Sequence, residues 1–494
     1  MSADAVPTSL PAVESPPPPA PAVGQPAAPP PSRFDRSLVE GPIGQAVWKI
    51  AWPTVLQNAI GGLQGLIDHA MVGHYVGYTG NAAIGVSWQV FLVVIVFISS
   101  LYTGMGVLVA RFTGANDPEA VNRVVYQAFL ASIVLSVGLL APVGYALSPY
   151  LLELVNATPA VRAEALPYLR TMFLFSAGML LYFMLAGALR AAGDARTPLR
   201  LGVAITALNI LFNVVLIRGL GPIPALGTLG AAIGTVLASA LASAVGLWLL
   251  VTGQLVVRFP RRPRLRFDWA VVRSLFRFGL PAGMQGVAMN VAGVLLLRFI
   301  GSLEQSAAAQ AAYAVAYTEL FALITWTSVG LMGAAATVAG QNLGAGRPER
   351  AVSAVRHAAG VGLAIAAAVG ALFVLVPDPL LGFFGFDEPE VLRLGRQLLR
   401  YLSVSGFFIA VALTYTGGLQ GTGDTRSPLY ISLVSQLGVP IGLCAALQAL
   451  DRLEPAGVWM AIVLGHFTRC LLSVLRFHQG KWRDIKVDLA PGPA

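Results

Sequence analysis

Apolar stretches long enough to cross a membrane dominate the chain. A membrane-spanning helix needs about 20 mostly apolar residues, and Gly, Pro and Asp mark the connections between such stretches in this sequence. Twelve stretches fit the pattern, at 43–72, 83–110, 122–146, 164–190, 199–218, 228–253, 275–300, 309–338, 351–376, 395–420, 429–449 and 455–477. The pattern predicts an all-α polytopic membrane protein with twelve transmembrane helices.

The composition agrees with this prediction except at the start of the chain. Of the 494 residues, 56% are hydrophobic and 11% are charged, whereas soluble domains average about 25% charged residues. Residues 1–42 begin with a Pro- and Ala-rich stretch that has no apolar segment of the signal-peptide type, so we predict a disordered cytoplasmic tail. Cys444 and Cys470 lie in apolar stretches and predict neither a disulfide framework nor a metal site.

Positive charges predict the orientation of the chain in the membrane. The linker 254–274, after the sixth stretch, contains RFPRRPRLRF, and short positively charged loops stay in the cytoplasm. Twelve spans then place both termini in the cytoplasm, including the C-terminal tail 479–494. The net charge of +9 therefore reflects topology in the cell (inner) membrane, and we expect no nucleic-acid partner.

An internal repeat divides the chain into two halves. RAAGDARTPL at 190–199 returns as QGTGDTRSPL at 420–429, and ARFTGANDPEAVNRVV at 110–125 aligns with GQNLGAGRPERAVSAV at 340–355, each 230 residues later. Because each copy contains six spans, the copies have the same orientation, which is typical of parallel repeats. We predict two pseudo-symmetric six-helix lobes, an N-lobe at 43–253 and a C-lobe at 275–478.

The duplicated GDxRxP loop admits two interpretations. G-x-G-D is a signature of intramembrane aspartyl proteases, which need a second carboxylate, but the spans 395–420 and 429–449 have none. We therefore favour a tight inner turn that is capped by the Asp and that begins the next helix with Pro. Its charged residues are also candidates for a gate latch: Asp194, Arg196, Asp424 and Arg426. Since no span contains an H-E-x-x-H or Walker A motif, we predict that the protein is not an enzyme.

Charged residues inside the spans are candidates for function, because each costs about 2.5–3.5 kcal/mol to insert. Asp68 lies near the outer end of the first span. Thr206, Asn209 and Asn213 in the fifth span are spaced i, i+3 and i+7, which places them on one face of a helix. Asn213 lies at about the same depth as Asp68. An acid facing a stripe of amides predicts a cation-coupling site.

Several of these motifs together resemble the multidrug and toxic compound extrusion (MATE) transporters. They are the two GDxRxP loops, GLPAGMQ at the start of the seventh span and GQNLGAGRPERA after the eighth. The resemblance implies a V-shaped monomeric antiporter that exports organic cations or amphipathic drugs by alternating access. Protons or sodium ions would enter in exchange, with no bound cofactor. It also implies a coupling site made of Asp68, Asn209 and Asn213, to which Thr235 in the sixth span adds a hydroxyl.

The chain departs from some members of that family in its second half. Leu296 stands at the position equivalent to Asp68, and the interiors of the seventh and tenth spans hold no carboxylate. We therefore expect coupling in the N-lobe alone. A single acid with two amides favours protons, although Na⁺ at Asp68 stays open.

Other polar residues in the spans have two interpretations each. Glu319 in the eighth span is predicted to be a second buried acid, which either lines a substrate cavity or is neutralised by a partner such as Arg298. Gln57, Gln64 and Asn290 either line the central cleft or pack between helices. Two other functions also remain at this stage, a flippase of lipids or lipid-linked oligosaccharides from the same superfamily and a membrane enzyme. Membrane lipids are expected partners in every case.

Overall fold

The computed structural model describes residues 34–155, 157–259, 265–385, 388–487 and 489, and for 92–99 it describes the backbone alone. Most of the predicted tail, residues 1–33, and the arginine-rich centre of the linker, residues 260–264, lie outside this description. The described chain contains helices and no strand.

Twelve long helices follow one another along the described chain. Those of the N-lobe are α1 (Ile43–Tyr75), α2 (Tyr78–Gly114), α3 (Pro118–Leu154), α4 (Pro159–Leu174 and Ser176–Ala191), α5 (Arg196–Arg218) and α6 (Gly227–Thr252). Those of the C-lobe are α7 (Trp269–Gly301), α8 (Ser306–Gly344), α9 (Pro348–Leu375), α10 (Pro389–Thr422), α11 (Arg426–Ala449) and α12 (Pro455–His478). Each coincides with one predicted span, so the twelve-helix prediction is confirmed.

The membrane-crossing capacity of these helices follows from their length and apolar composition. Nine helices of the described chain meet both requirements, and the two parts of α4, which meet at an angle of 53°, make a tenth. α1 and α2 contain 33 and 37 residues, which is more than a bilayer requires. α3, α8 and α11 each contain a π-helical segment, at Val134–Leu140, Ala314–Leu320 and Leu433–Gly438.

The segment 34–42, which the sequence analysis assigned to the disordered tail, is folded. It contains the short helix Ser37–Glu40, and the side chains of Phe34 and Leu38 are buried. Asn342 Nδ2 at the end of α8 donates a hydrogen bond to the carbonyl of Leu38 at 3.1 Å. The prediction of disorder was wrong here, because apolar side chains and C-lobe donors hold the segment in place.

The first half of α1 packs into the core of the C-lobe, and the first half of α7 packs into the core of the N-lobe. α1 packs on α8, α7 packs on α2, and α2 packs on α8. Val47 and Ile50, in the first half of α1, belong to a core cluster built mainly from α8 and α9. Val271 and Leu275, in the first half of α7, belong to a cluster built mainly from α2, α3 and α4. Each lobe core is therefore completed by a helix of the other half of the chain.

The lobes touch most closely at one end of the bundle. We call the end that bears the two GDxRxP loops the inner end, and the opposite end the outer end. Four glycines near the inner end share one property, that an added Cβ would lie 1.8–2.0 Å from a carbonyl oxygen of the other lobe. The pairs are Gly104 with Leu275, Gly114 with Gln341, Gly279 with Ser100, and Gly344 with Arg111. These four glycines form the inner seal, in which backbone contacts backbone because no side chain intervenes.

Toward the outer end the lobes diverge. Added Cβ atoms at Gly61 and Gly65 of α1, and at Gly293 of α7, would meet nothing within 4 Å. Leu66 of α1 and Val294 of α7 are 60% and 68% exposed. The two-lobe arrangement is thus closed at the inner end and open at the outer end, which confirms the predicted V shape.

The two GDxRxP loops form the tight turns that the sequence predicts. Gly193 and Gly423 have φ angles of 98° and 106°, which favour glycine. The Oδ1 atoms of Asp194 and Asp424 each accept the backbone N–H three residues later, at 3.0 and 3.2 Å. The Asp therefore caps the turn in both copies.

Among the described residues, only the second copy of this turn has an ion pair. Asp424 is 5% exposed, and its Oδ2 accepts Nε and Nη2 of Arg476 from α12, both at 2.9 Å. Arg196 and Arg426 are exposed. The described side-chain hydrogen bonds of the four predicted latch residues stay within their own lobes, so the structure does not bring these residues together.

Replacing Asp424 with alanine is expected to destabilise the protein more than replacing Asp194. Either change removes the side chain that caps a turn, which lowers the free energy of unfolding by about 1 kcal/mol. Asp424→Ala also removes charge-assisted hydrogen bonds and leaves Arg476 without its acid, which adds roughly 2 kcal/mol. Thermal unfolding of both variants in one detergent at one scan rate measures the difference. Equal shifts in Tm would contradict the structural role of the ion pair.

Candidate functional site

Asp68 lies between the lobe interior and the outer opening, and it contacts α5. Its Oδ1 accepts a hydrogen bond from Asn213 Nδ2 at 2.7 Å. Asn213 is 0% exposed, whereas Asp68 is half-buried. α1 supplies the charge and α5 supplies a donor from a buried position, as the matched depth predicted.

The contact with Asp68 continues through α5 into α6. Asn213 Nδ2 also donates to Asn209 Oδ1 at 3.3 Å, and Asn209 Nδ2 donates to Thr235 Oγ1 at 3.1 Å. Thr235 in turn donates to the carbonyl of Ala231 within its own helix at 3.0 Å. Four predicted residues thus form one hydrogen-bonded chain across three helices, which we call the N-lobe site.

One buried acceptor in the N-lobe site has no donor. Asn213 Oδ1 is enclosed and makes no hydrogen bond among the described residues. An added Cβ at Gly234 of α6 would lie 2.2 Å from this oxygen, so glycine provides the room for the amide. A buried acceptor without a donor is unfavourable by about 1–3 kcal/mol. Beside a carboxylate, such an oxygen is suited to a proton on that carboxylate or to a small cation.

Thr206 belongs to a separate contact on the same helix face. Its Oγ1 donates to Gln64 Oε1 at 3.0 Å, and no described hydrogen bond joins it to the N-lobe site. About two helical turns toward the inner end, Gln57 Nε2 donates to the hydroxyl of Tyr182 at 2.7 Å. Gln57 and Gln64 therefore link α1 to α4 and α5. Tyr182 could not be identified from the sequence, because nothing in the pattern shows that α4 faces α1 there.

The prediction that Glu319 is buried was wrong. The residue lies in the π-helical segment Ala314–Leu320 and is exposed. Arg298, the considered partner, is exposed as well and makes no ion pair with it in the described contacts. Asn290 is also exposed, and its Nδ2 donates to the carbonyl of Gly286 in its own helix at 2.9 Å.

The described residues of the C-lobe form no counterpart of the N-lobe site. Leu296, equivalent to Asp68, is 7% exposed in an apolar core. Arg469 of α12 is 4% exposed, and its Nε has no acceptor among the described residues. His466, one turn earlier, is bonded to Ser405 through Nδ1 at 2.5 Å. Within the described ranges, no group of three or more His, Cys, Asp and Glu residues is arranged to hold a metal.

Comparison with known proteins finds the same architecture and the same repeat. The MatE family model matches twice, at residues 53–215 and 281–445. The probable multidrug resistance protein NorM of Thermotoga maritima is 27% identical over 439 residues, covering 88% of this chain and 92% of that protein. The multidrug resistance protein MdtK of Edwardsiella ictaluri is 25% identical over 439 residues, covering 86% of this chain and 93% of the relative.

Solved structures support the fold. An outward-facing conformation of a multidrug resistance MATE family transporter has a TM-score of 0.83 and 22% identity, and it covers 91% of this chain and 98% of its own. A MATE P26A mutant gives the same TM-score and identity, covering 91% of this chain and 99% of its own. Since the MatE model matches more than half of the residues, in two copies that coincide with the two lobes, this integral membrane protein belongs to the MatE family of transporters.

Proposed function

We propose that the protein is a secondary active antiporter that exports small amphipathic drugs or metabolites by alternating access, driven by a proton or Na⁺ that enters through the N-lobe site. The observation that carries the proposal is the hydrogen bond between Asp68 and Asn213 beside the unpaired Asn213 Oδ1. Asp68 is half-buried on the open side of the bundle, where an external ion reaches it.

The N-lobe site is suited to couple ion binding to helix position. A proton on Asp68 or a Na⁺ beside it removes the net negative charge and gives Asn213 Oδ1 the partner that it lacks. Either event changes the contact between α1 and the α5–α6 pair. Because α1 also completes the C-lobe core through Val47 and Ile50, a shift of α1 acts on both lobes. This double attachment supports a link between ion binding and lobe movement.

A proton accounts for the N-lobe site with fewer requirements than sodium. A proton on the Asp68 carboxylate needs one acceptor, which the unpaired amide oxygen of Asn213 supplies. A sodium ion needs several oxygen ligands, but Asn209 Oδ1 and Thr235 Oγ1 already accept hydrogen bonds. We further propose that the inner end faces the cytoplasm of the cell in whose membrane the protein lies, with both termini on that side. A lipid flippase is not favoured, since the relatives are named as multidrug resistance proteins.

Asp68→Asn is expected to abolish ion-driven export. The amide keeps the size of the side chain and its contact with Asn213 but cannot bind a proton. Efflux of ethidium from proteoliposomes should respond to an imposed pH gradient, or to a sodium gradient, in the wild type and should lose that response in the variant. Dye binding in detergent should be retained.

Glu304→Gln is the matched control, because Glu304 is an exposed carboxylate in the loop after α7. It should transport as the wild type does. The proposal is wrong if Asp68→Asn keeps its gradient response, or if Glu319→Gln removes the response while Asp68→Asn does not. The gradient that drives wild-type efflux identifies the ion.

A further inference from the structure

We propose that the cavity between the lobes selects amphipathic organic anions, with Arg190 binding their acidic group. This inference rests on the proposed function, in which that cavity holds the exported molecule, and it names the class of that molecule. The family resemblance implies organic cations instead, so the two expectations can be separated by experiment.

The cavity lies at the level of the inner seal, next to Gly104 on α2, and has a volume of about 310 Å³. That volume is within the range of about 300–1,000 Å³ for small-molecule sites. α1, α2, α4, α8 and α10 line it, so both lobes contribute. Its walls include Tyr102, Phe183, Val329 and Met332, which offer apolar and aromatic surface to the body of a ligand. The occupant is therefore expected to be largely apolar.

Arg190 carries the only charge among the described residues that line the cavity. Acids on the lining helices are distant along each helix. Asp68 follows the lining residue Asn58 by ten positions on α1, and Glu319 precedes the lining residue Val329 by ten on α8, which is about 15 Å in each case. Asp194 and Asp424 lie three positions after the lining residues Ala191 and Gly421, but both carboxylates cap their own turns and Asp424 is paired with Arg476. Because no acid is among the described lining residues, a cation in the cavity would meet an arginine, whereas an anion would meet its counter-charge.

The guanidinium of Arg190 is held in position but has donors to spare. Nε donates to the carbonyl of Ala186 at 3.2 Å, and Cζ lies 5.7 Å from the ring centroid of Tyr102. An arginine has five N–H donors. The four on the Nη atoms of Arg190 have no hydrogen-bond partner among the described residues. A guanidinium so oriented binds carboxylate or sulfonate oxygens through paired hydrogen bonds.

The repeat shows that this charge is not demanded by the fold. Gln420 occupies the equivalent position in the C-lobe and lines the same cavity. Its Nε2 donates to Gln285 Oε1 at 3.1 Å. Arg190 lies in the last turn of α4, next to the inner loop, and Arg196 of that loop is exposed. Arg190 instead faces the cavity, and Arg190→Gln gives both lobes the same neutral side chain.

Two probes of similar size and opposite charge test the inference, 2-naphthalenesulfonate and N-methylquinolinium. Binding is measured in detergent and export in proteoliposomes, with wild type, Arg190→Gln, Arg190→Lys and Arg200→Gln. We expect the wild type to bind and export the sulfonate. Arg190→Gln should weaken sulfonate binding at least tenfold and leave quinolinium binding unchanged or stronger. Arg190→Lys should bind the sulfonate more tightly than Arg190→Gln but more weakly than the wild type, because lysine keeps the charge and loses the paired hydrogen bonds. Arg200→Gln, at an exposed arginine of α5, should change the binding of neither probe.

The outcomes separate this inference from the proposed function. If quinolinium is exported under an ion gradient and the sulfonate neither binds nor moves, the anion inference is overturned while antiport stands. If the sulfonate binds through Arg190 but no gradient drives either probe, antiport fails and the charge selection of the cavity is supported. Equal losses of both probes in Arg190→Gln would assign Arg190 a structural role and overturn the inference.

Discussion

Alanine at Gly114 and Gly344 together is expected to prevent the inner end from closing and to reduce transport more than tenfold. Each added Cβ would lie 1.9 or 2.0 Å from a carbonyl oxygen of the other lobe. A backbone carbonyl cannot rotate away as a side chain can, so the lobes themselves must separate by more than 1 Å. An arrangement with the inner end open avoids this clash. It should therefore gain population relative to the arrangement with the inner end closed.

Spin labels report the separation directly. Arg196 and Arg426 are exposed, equivalent positions on the two inner loops, and cysteines placed there in a background without Cys444 and Cys470 can carry the labels. The double alanine variant should shift the distance distribution to longer values. Gly360→Ala in α9 is the control, because an added Cβ at Gly360 meets nothing within 4 Å. Unchanged distances together with normal transport would show that the inner seal tolerates side chains.

Gly234→Ala is expected to weaken binding of the coupling ion at least tenfold while Asp68 remains in place. The added methyl would lie 2.2 Å from Asn213 Oδ1 and 3.3 Å from the Cβ of Phe212, so the amide must turn away from α6. This movement breaks the contact with Asp68 and displaces Asn213 Oδ1, the acceptor that lacks a donor among the described residues of the N-lobe site. The dependence of efflux on the concentration of the coupling ion measures the effect.

Gly293→Ala provides the control for this prediction, because a Cβ at Gly293 meets nothing within 4 Å and the residue lies in the C-lobe. Binding of the exported molecule should be unchanged in both variants. If Gly234→Ala couples as the wild type does, the amide of Asn213 is not part of the ion site.

The N-lobe site could be predicted because its geometry is local to helices. The spacing of Asn209 and Asn213 fixes one face of α5, and counting from the helix ends places Asp68 at the same depth. The same reasoning failed to predict the exposure of Glu319. The π-helical segment Ala314–Leu320 changes the number of residues per turn and so rotates the helix face that follows. A periodicity of 3.6 does not hold through such a segment.

The inner seal and the folded segment 34–42 could not be predicted for a different reason. The partner of each seal glycine is a backbone carbonyl far away in sequence, and every residue type has the same carbonyl. The packing of Leu38 depends on donors from Asn342, about three hundred residues later. Neither contact leaves a local pattern. The repeat indicated which helices correspond in the two lobes but not which ones meet.

The exchange of helix halves between the lobes has a consequence for biosynthesis. The buried face in the first half of α1 receives its partners only when α8 and α9 have been made, and the core around α2 is incomplete until α7 has been made. Contacts between such distant segments slow folding, and incomplete intermediates expose apolar surface. The first six helices released alone would therefore be an unfinished subunit rather than an independent domain, and the second half of the chain acts as the template on which the first completes its fold.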